Sequence, residues 1–237
     1  MMGKTHLFTI LISVMMLAGC GGGEKSFVTV ALQRQCYRDK ATGTEISASV
    51  YFSKLFDGSD RCPLVFVADT ELFNTDSLFI QIDSMITSGI LPPMLIVGCD
   101  SVTSCSASLM TDVLIPGIHS SYHIDRDRTE VLCGQGLSAD LCVEIGMTHP
   151  ETADAFWCFS PTVSDLNEFG MTDGSVSFCI LHNLKIEPYE NLELYSSLIN
   201  SIRKRGGKVS ERTYSEHFDV EGRTGEFLQM LQEHFGL

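Results

Sequence analysis

The chain has 237 residues, of which 44% are hydrophobic and 19% are charged, and its formal net charge is −14. This length and apolar content suit one globular domain with a full core. The negative charge argues against nucleic acid, which a basic surface would bind, and against attachment to anionic lipid by charge alone.

The first 20 residues have the pattern of an export signal. Lys4 and His6 give a short basic start, residues 7–18 are apolar, and the run LAGC ends at Cys20. The apolar stretch is too short to span a membrane. The LAGC run resembles a bacterial lipobox, which implies cleavage before Cys20 and acylation of its thiol and amine. The alternative is an ordinary signal peptide that is followed by a cysteine by chance.

This pattern divides the chain into three expected parts. Residues 1–19 are predicted to be a lipoprotein signal peptide, residues 20–26 a lipidated tether, and residues 27–237 a single domain. We therefore expect an exported protein whose membrane partner is bound through the N-terminal lipid, by default at the outer membrane. The sequence leaves the membrane leaflet and the oligomeric state open.

After the tether, the chain alternates strands and helices. Residues 27–35 and 45–52 alternate apolar and polar positions, which is typical of half-exposed strands. The later patterns predict, in chain order, strand 64–68, helix 75–88, strand 94–97, helix 108–120, strand 131–133, helix 137–149, strands 155–159 and 176–181, helix 188–205, strand 208–214 and helix 224–235. Apolar strands alternating with helices predict an α/β fold, with a mainly parallel sheet covered by helices on both faces. Ligand chemistry then belongs at the carboxyl ends of the strands.

The nine cysteines do not have the pattern of a disulfide framework. Four lie in or at the end of apolar runs that are predicted to be buried strands: Cys99, Cys133, Cys158 and Cys179. Buried cysteine behaves there as a small hydrophobic side chain. Three lie in polar, loop-like surroundings: Cys36, Cys62 and Cys105. No cysteine or histidine spacing of a zinc site occurs, and we expect no cofactor.

Residues 129–150, TEVLCGQGLSADLCVEIGMTHP, contain the turn on which the function depends. They predict a buried strand, a turn at Gly134 and Gly136, and a helix that Pro150 ends. A strand–turn–helix with glycines two residues apart is where α/β-hydrolases hold their nucleophile, within the motif G-x-S-x-G. The corresponding run here is GQGLS, so Gly136 occupies the position of the serine.

Several runs, taken in order, are similar to one family. CPLVFVADTELF resembles its first core strand and the following corner, and IDSMITSGILPPMLIVGCDS resembles its next helix and strand. LIPGIHSSYHIDRDRTEVLCGQGLSA is similar to the approach to its nucleophile, and THPETADAFWCFSP to the strand after it. Together they resemble the esterase family of α/β-hydrolases that includes enterochelin esterase and S-formylglutathione hydrolase. The resemblance implies the α/β-hydrolase fold and carboxylic-ester hydrolysis.

The resemblance also implies where the catalytic groups lie. The nucleophile falls on Gly136, and the backbone N–H of Leu137 becomes one oxyanion donor. The second oxyanion donor falls near Thr70, the catalytic acid near Glu187 and the catalytic histidine on His217. The chain departs from the family at Gly136 for serine, at Thr70 for glycine, and in the Ser-Glu pair that precedes the histidine.

Two candidate residues have a second interpretation. Ser138 is a candidate substitute nucleophile, but Asp140 breaks the small-residue pattern of the turn, and Ser138 is also explained as a helix N-cap or first-turn serine. His217 is either a general base or a loop histidine held by Glu216 and Asp219.

Glycine provides no nucleophile for acyl transfer. We therefore expect an esterase-like lipoprotein with lost or greatly weakened turnover, whose pocket retains binding of an ester-, acyl- or siderophore-like ligand. One alternative is an active carboxylic-ester hydrolase that uses Ser138, or a serine of residues 101–108, with His217. The other is a non-catalytic scaffold lipoprotein.

Overall fold

The computed structural model describes residues 32–53, 55–56, 62–68, 76–100, 105–122, 130–162, 176–183, 189–214 and 220–237. The strands are β1 (Leu32–Arg38), β2 (Glu45–Phe52), β3 (Leu64–Val67), β4 (Leu95–Cys99), β5 (Glu130–Gln135), β6 (Ala155–Phe159), β7 (Ser177–Asn183) and β8 (Lys208–Tyr214). The α-helices are α1 (Asp76–Thr87), α2 (Ala107–Leu109), α3 (Ile115–Tyr122), α4 (Leu137–Thr148), α5 (Tyr189–Lys204) and α6 (Val220–Phe235). No helix of these ranges is long and apolar enough to cross a membrane.

The strands form one sheet in the order β1-β2-β4-β3-β5-β6-β7-β8. β2 runs antiparallel to both β1 and β4, and all the other neighbouring pairs are parallel. β5 therefore lies near the centre of the sheet, between β3 and β6. The predicted mainly parallel α/β sheet is confirmed.

Helices cover both faces of this sheet, and each face has its own apolar core. The four residues of β3 show how the two cores divide, because Leu64 and Phe66 point to one face and Val65 and Val67 to the other. The first core is covered by α2, α3, α4 and α5. The second core is covered by α1 and α6. Four apolar side chains of α5 are all buried: Tyr195, Leu198, Ile199 and Ile202.

Several predicted boundaries shift in the structure. The helix expected over residues 108–120 begins at Ala107 and contains a π-helical segment, Met110–Leu114, before α3. The strand predicted at residues 131–133 extends over Glu130–Gln135, because pairing with β3 already begins at Glu130 and pairing with β6 continues through Gly134 to Gln135.

The apolar residues spaced four apart along α4 differ in exposure. Leu137 is 70% exposed, while Leu141 and Ile145 are buried. Leu137 is the first helical residue, directly after the turn and at the edge of the sheet. Further along the helix, a Cβ on Gly146 would lie 2.6 Å from the Phe178 ring, so the close approach of α4 to the sheet requires a small residue.

Candidate active site

The turn between β5 and α4 is held in an unusual backbone conformation. Gly136 has φ 56° and ψ −121°, in the half of the backbone map that glycine tolerates best. Its N–H donates to the carbonyl of Phe159 at 2.9 Å, and its carbonyl accepts from the N–H of Asp140 at 3.0 Å. β6 and the first turn of α4 therefore fix the turn from both sides.

The two glycines of the turn meet different surroundings. A Cβ on Gly134 would collide with the backbone carbonyl of Ser138 and would lie 2.8 Å from the Ser138 Cβ. A Cβ on Gly136 would meet no atom of the described residues within 4 Å. Gly134 is thus required by the close approach of strand and helix. At Gly136 the backbone conformation favours glycine, and the described part of the chain leaves room for a side chain.

The predicted oxyanion donor lies at the start of α4. Leu137 is the first residue of this 12-residue helix, so its N–H belongs to the group of amides that have no intrahelical acceptor. The helix dipole gives this end a partial positive charge. The position suits a donor to a carbonyl oxygen or an oxyanion at the open space beside Gly136.

Ser138, the candidate substitute nucleophile, is fully buried at 0% exposure. Its Oγ has no hydrogen-bond partner among the described residues. The N-cap of α4 is Gly136, so Ser138 is a first-turn serine rather than an N-cap. A nucleophile needs access to its substrate, and the burial of Ser138 denies it that access.

Polar side chains connect the turn to more distant elements. Arg223 of α6 donates through Nη1 to Oε1 of Gln135 at 2.6 Å. The carboxylate of Asp140 accepts from the N–H of Thr162 at 2.6 Å and from the Thr162 hydroxyl. The sequence analysis missed Arg223 and Thr162, because no local pattern indicates which distant element will meet the turn.

The remaining predicted site residues lie outside the described residues: Cys20, Thr70, Glu187 and His217. The strands that precede the last three are described. β3, β7 and β8 end at Val67, Asn183 and Tyr214, and all three run parallel to β5. Their carboxyl ends therefore point to the same edge of the sheet as the turn at Gly136.

A second polar pair, on β7 and β8, was also missed by the sequence analysis. His182 is only 2% exposed, and its Nε2 lies 2.9 Å from Oε1 of Glu211. The imidazole stacks on the ring of Tyr195 with centroids 4.8 Å apart. Ile180 faces Glu211 across the two strands, which places His182 and Glu211 on one face of the sheet. Their contact joins the outer strand β8 to the sheet.

The cavity found among the described residues lies away from the turn. Its volume is about 380 Å³, and it lies at the amino ends of the strands, where Glu130 begins β5 and His149 follows α4. Because ligand chemistry in open α/β sheets belongs to the carboxyl ends, this cavity does not define the candidate active site. Within the described ranges, no group of three or more histidine, cysteine or acidic side chains is placed to hold a metal ion.

Comparison with known proteins supports the fold. No family model and no curated protein sequence matches the chain. Among solved structures, a ferulic acid esterase aligns with a TM-score of 0.66 and 12% identity, covering 86% of this chain and 97% of its own. The BES protein from Bacillus cereus aligns with a TM-score of 0.68 and 12% identity, covering 89% and 98%.

A third solved structure extends the comparison to a larger protein. The enterobactin esterase FES from Shigella flexneri, solved in the presence of enterobactin, aligns with a TM-score of 0.67 and 12% identity. The alignment covers 87% of this chain and 59% of that one. The α/β-hydrolase fold is thus confirmed, and proteins that share it include the esterases to which the sequence was expected to be similar.

Proposed function

We propose that this protein is an exported, lipid-anchored member of the esterase type with little or no serine-esterase turnover. Its site at the carboxyl edge of the sheet binds an ester-, acyl- or siderophore-like ligand. One observation carries this proposal. Gly136 has the position and the strained backbone conformation of a nucleophile-bearing turn, but it lacks the side chain that would attack an ester.

Ester hydrolysis needs a nucleophile side chain, whereas binding of the ligand does not. Acyl transfer needs an oxygen or sulfur nucleophile, and removal of one triad member leaves only about 10³–10⁴-fold catalysis over water from the remaining groups. The N–H of Leu137 at the start of α4 requires no side chain, so the donor to an ester carbonyl stays in place. No atom of the described residues lies within 4 Å of the position that a Cβ on Gly136 would take, which supports room there for a bound acyl group. The enterobactin complex of the Shigella flexneri esterase supports a siderophore as one ligand to test.

Fluorophosphonate labelling tests the proposal on the full chain and on the Gly136→Ser variant, with intact mass as the readout. We expect no adduct on the natural chain and an adduct on the variant, because the turn already has the conformation and the space that a serine needs. Gly136→Ala is the matched control, since it adds a Cβ without a hydroxyl. Labelling of the natural chain would contradict the proposal and would make Ser138 the first serine to replace.

Ligand binding requires a separate measurement. Isothermal titration of the natural chain uses three probes: the iron-loaded form and the iron-free form of a catecholate siderophore, and a long-chain acyl ester. Saturable binding to any one of them, weakened in a Gly136→Leu variant that remains folded, is the expected result. Absence of saturable binding to all three would favour the scaffold alternative.

The lipid anchor is tested by replacing Cys20. We expect the natural chain to fractionate with the membrane, and Cys20→Ser to be released or to remain unprocessed, because acylation needs the thiol. A Cys20→Ser variant that has lost residues 1–19 and still fractionates with the membrane would overturn the anchor.

A further inference from the structure

The cavity of about 380 Å³ lies at the amino edge of the sheet, opposite the turn at Gly136. Three parts of the chain line it: residues 111–119 of the π-helical segment and α3, Glu130 at the beginning of β5, and residues 149–154, which lead from α4 into β6. Its volume is within the range of sites that hold small molecules. The function proposed above gives this cavity no role.

The charged side chains that line the cavity are acidic, and none of its described lining residues is a lysine or an arginine. Its carboxylates belong to Asp112, Glu130, Glu151 and Asp154. Charges of one sign around a concave surface concentrate their electric field inside it. The 12-residue helix α4 adds to this field, because its C-cap, His149, lines the cavity and the C-terminal end of a helix carries partial negative charge. The cavity therefore favours a cation.

The carboxylates differ in depth, and their positions are fixed. Glu130 is 5% exposed, whereas Asp112, Glu151 and Asp154 are exposed. The N–H of Glu130 donates to Oδ2 of Asp154 at 2.8 Å, and the N–H of Asp154 donates to the carbonyl of Glu130 at 2.9 Å. The site thus combines one buried carboxylate with three that face solvent. Because these groups are already held in place, a ligand pays little to order them.

An imidazole nitrogen beside Glu130 has no hydrogen bond. Nε2 of His119 is buried and lies 2.9 Å from Oε1 of Glu130, but the two are not aligned for a hydrogen bond, and Nε2 has no other partner among the described residues. A buried polar atom without a hydrogen bond costs free energy. In the tautomer with its proton on Nδ1, Nε2 is an acceptor, as a carboxylate oxygen is. A group with several N–H donors would satisfy both atoms at once.

The rest of the lining is apolar. Ile115 is 6% exposed and Ala153 is 9% exposed, and Pro116 and Pro150 also line the cavity. Within the described part of the chain, no three side chains are placed to hold a metal ion. Apolar lining beside carboxylates instead suits an organic cation, whose alkyl part packs on the apolar side chains while its charged end meets the carboxylates.

We propose that this cavity is a second ligand site, and that it binds a small primary alkylammonium ion. The ammonium group has three donors and no acceptor, so it can donate to Oε1 of Glu130 and to Nε2 of His119. The alkyl chain packs on Ile115 and the prolines, and the exposed carboxylates strengthen the attraction. Free diamines and the lysine side chain of a peptide both carry this group.

Isothermal titration of the full natural chain tests the proposal with putrescine and with blocked lysine, Nα-acetyl-lysine amide. We expect saturable binding of at least one of them, weakening as salt is added, because salt screens the charges. Binding of putrescine identifies a free amine as the ligand type, and binding of blocked lysine alone identifies a peptide side chain. Butanediol, which has the carbon chain of putrescine without its charges, should not bind. Absence of saturable binding of both amines, or equal binding of butanediol, would overturn the proposal.

Variants separate the cavity from the general negative charge of the chain. Asp112→Asn and Glu151→Gln change exposed side chains, and each should weaken binding by roughly twofold to fivefold, the size of an exposed charge pair. Glu193→Gln is the matched control, since it removes the same charge from an exposed position near the start of α5, which follows β7 at the opposite edge of the sheet. This control should leave the affinity unchanged.

A fourth variant, Ala153→Leu, places a larger side chain against the cavity and should abolish binding in chain that circular dichroism shows to be folded. Equal weakening by Glu193→Gln, or unchanged affinity in all three cavity variants, would overturn the proposal. Fluorophosphonate labelling of Gly136→Ser should be the same with and without saturating amine, because the two sites lie at opposite edges of the sheet. The outcome is therefore independent of the function proposed for the turn.

Discussion

The two ends of β5 are held by different kinds of contact. At its carboxyl end, the strand passes into α4 through two glycines, and the backbones approach so closely that a Cβ on Gly134 would collide with Ser138. At its amino end, polar side chains make the contacts. The carboxylate of Glu130 lies 2.9 Å from Nε2 of His119, and its backbone N–H donates to Oδ2 of Asp154 at 2.8 Å.

This difference means that the turn at the carboxyl end keeps its shape without help from a side chain at position 136. The turn at Gly136 is defined by hydrogen bonds of the backbone to Phe159 and Asp140, none of which uses a nucleophile side chain. The amino end depends on the identity of its side chains, since replacement of any one of them removes a contact. Substitutions at the carboxyl end should therefore alter the shape of the site, and substitutions at the amino end should leave that shape unchanged.

The largest effect is expected at Gly134. Gly134→Ala should lower the free energy of unfolding by about 3 kcal/mol, at the upper end of what overpacking costs, because backbone rather than a flexible side chain occupies the space. Denaturant unfolding measures the loss. In the double variant with Gly136→Ser, fluorophosphonate labelling should also fall, because α4 must shift. A near-neutral Gly134→Ala would contradict the close approach of strand and helix.

The amino end of the same strand gives the contrasting prediction. Glu130 is 5% exposed, and Glu130→Ala removes the partner of His119 and opens a small cavity. We expect a loss of about 2 kcal/mol, within the range for buried polar groups that lose their partner. Labelling of the Gly136→Ser variant should remain unchanged when this substitution is added. A fall in labelling would show that the two ends of β5 are coupled.

Gly136→Ala tests how much the backbone conformation alone disfavours a side chain at the second glycine. Here no atom of the described residues would contact the Cβ, and the backbone conformation is what disfavours a side chain, so the expected loss is about 1 kcal/mol, at the low end for strained backbone. The measurement is again denaturant unfolding, beside Gly134→Ala. If the two variants lost equal free energy of unfolding, the collision at Gly134 would cost no more than the backbone strain at Gly136, and the prediction would be wrong.

The sequence predicted the fold well because the fold depends on repeating patterns. The apolar runs LVFVA and AFWCF correspond to β3 and β6, which are buried on both faces, and the alternation at residues 45–52 corresponds to β2. The spacing of glycines at positions 134 and 136 indicated the turn before β5 and α4 were known. Such signals are local, so they can be read without a structure.

The features that the sequence did not predict arise from tertiary contacts. Nothing near Arg223 indicates that its guanidinium will reach Gln135, 88 positions earlier in the chain. The exposure of Leu137 follows from where the sheet ends, which helical periodicity does not specify. The apolar periodicity of residues 108–120 likewise does not specify the π-helical segment at Met110–Leu114.

The smallest expected effect concerns pH at the amino edge of the sheet. His234 of α6 packs edge-on against Trp157, with ring centroids 5.6 Å apart, and its burial lowers its pKa below the ordinary value, although Asp154 opposes this shift. The unfolded chain therefore binds the proton more tightly than the folded chain does. The stabilising contribution is fully present above about pH 6.5, the unperturbed pKa of histidine, and it is lost as the pH falls through the lower pKa of the folded state.

This prediction is measured as the midpoint of thermal unfolding against pH, for the natural chain and for His234→Gln. The natural chain should lose more stability than the variant between neutral pH and the acidic side of the histidine titration. The difference should be small, because the imidazole keeps contact with solvent, which screens the effect of its charge. Labelling of the Gly136→Ser variant, corrected for the intrinsic pH dependence of the reagent, should not follow this transition. If it did, a histidine at the amino edge would influence chemistry at the carboxyl edge, and the separation of the two ends of β5 would fail.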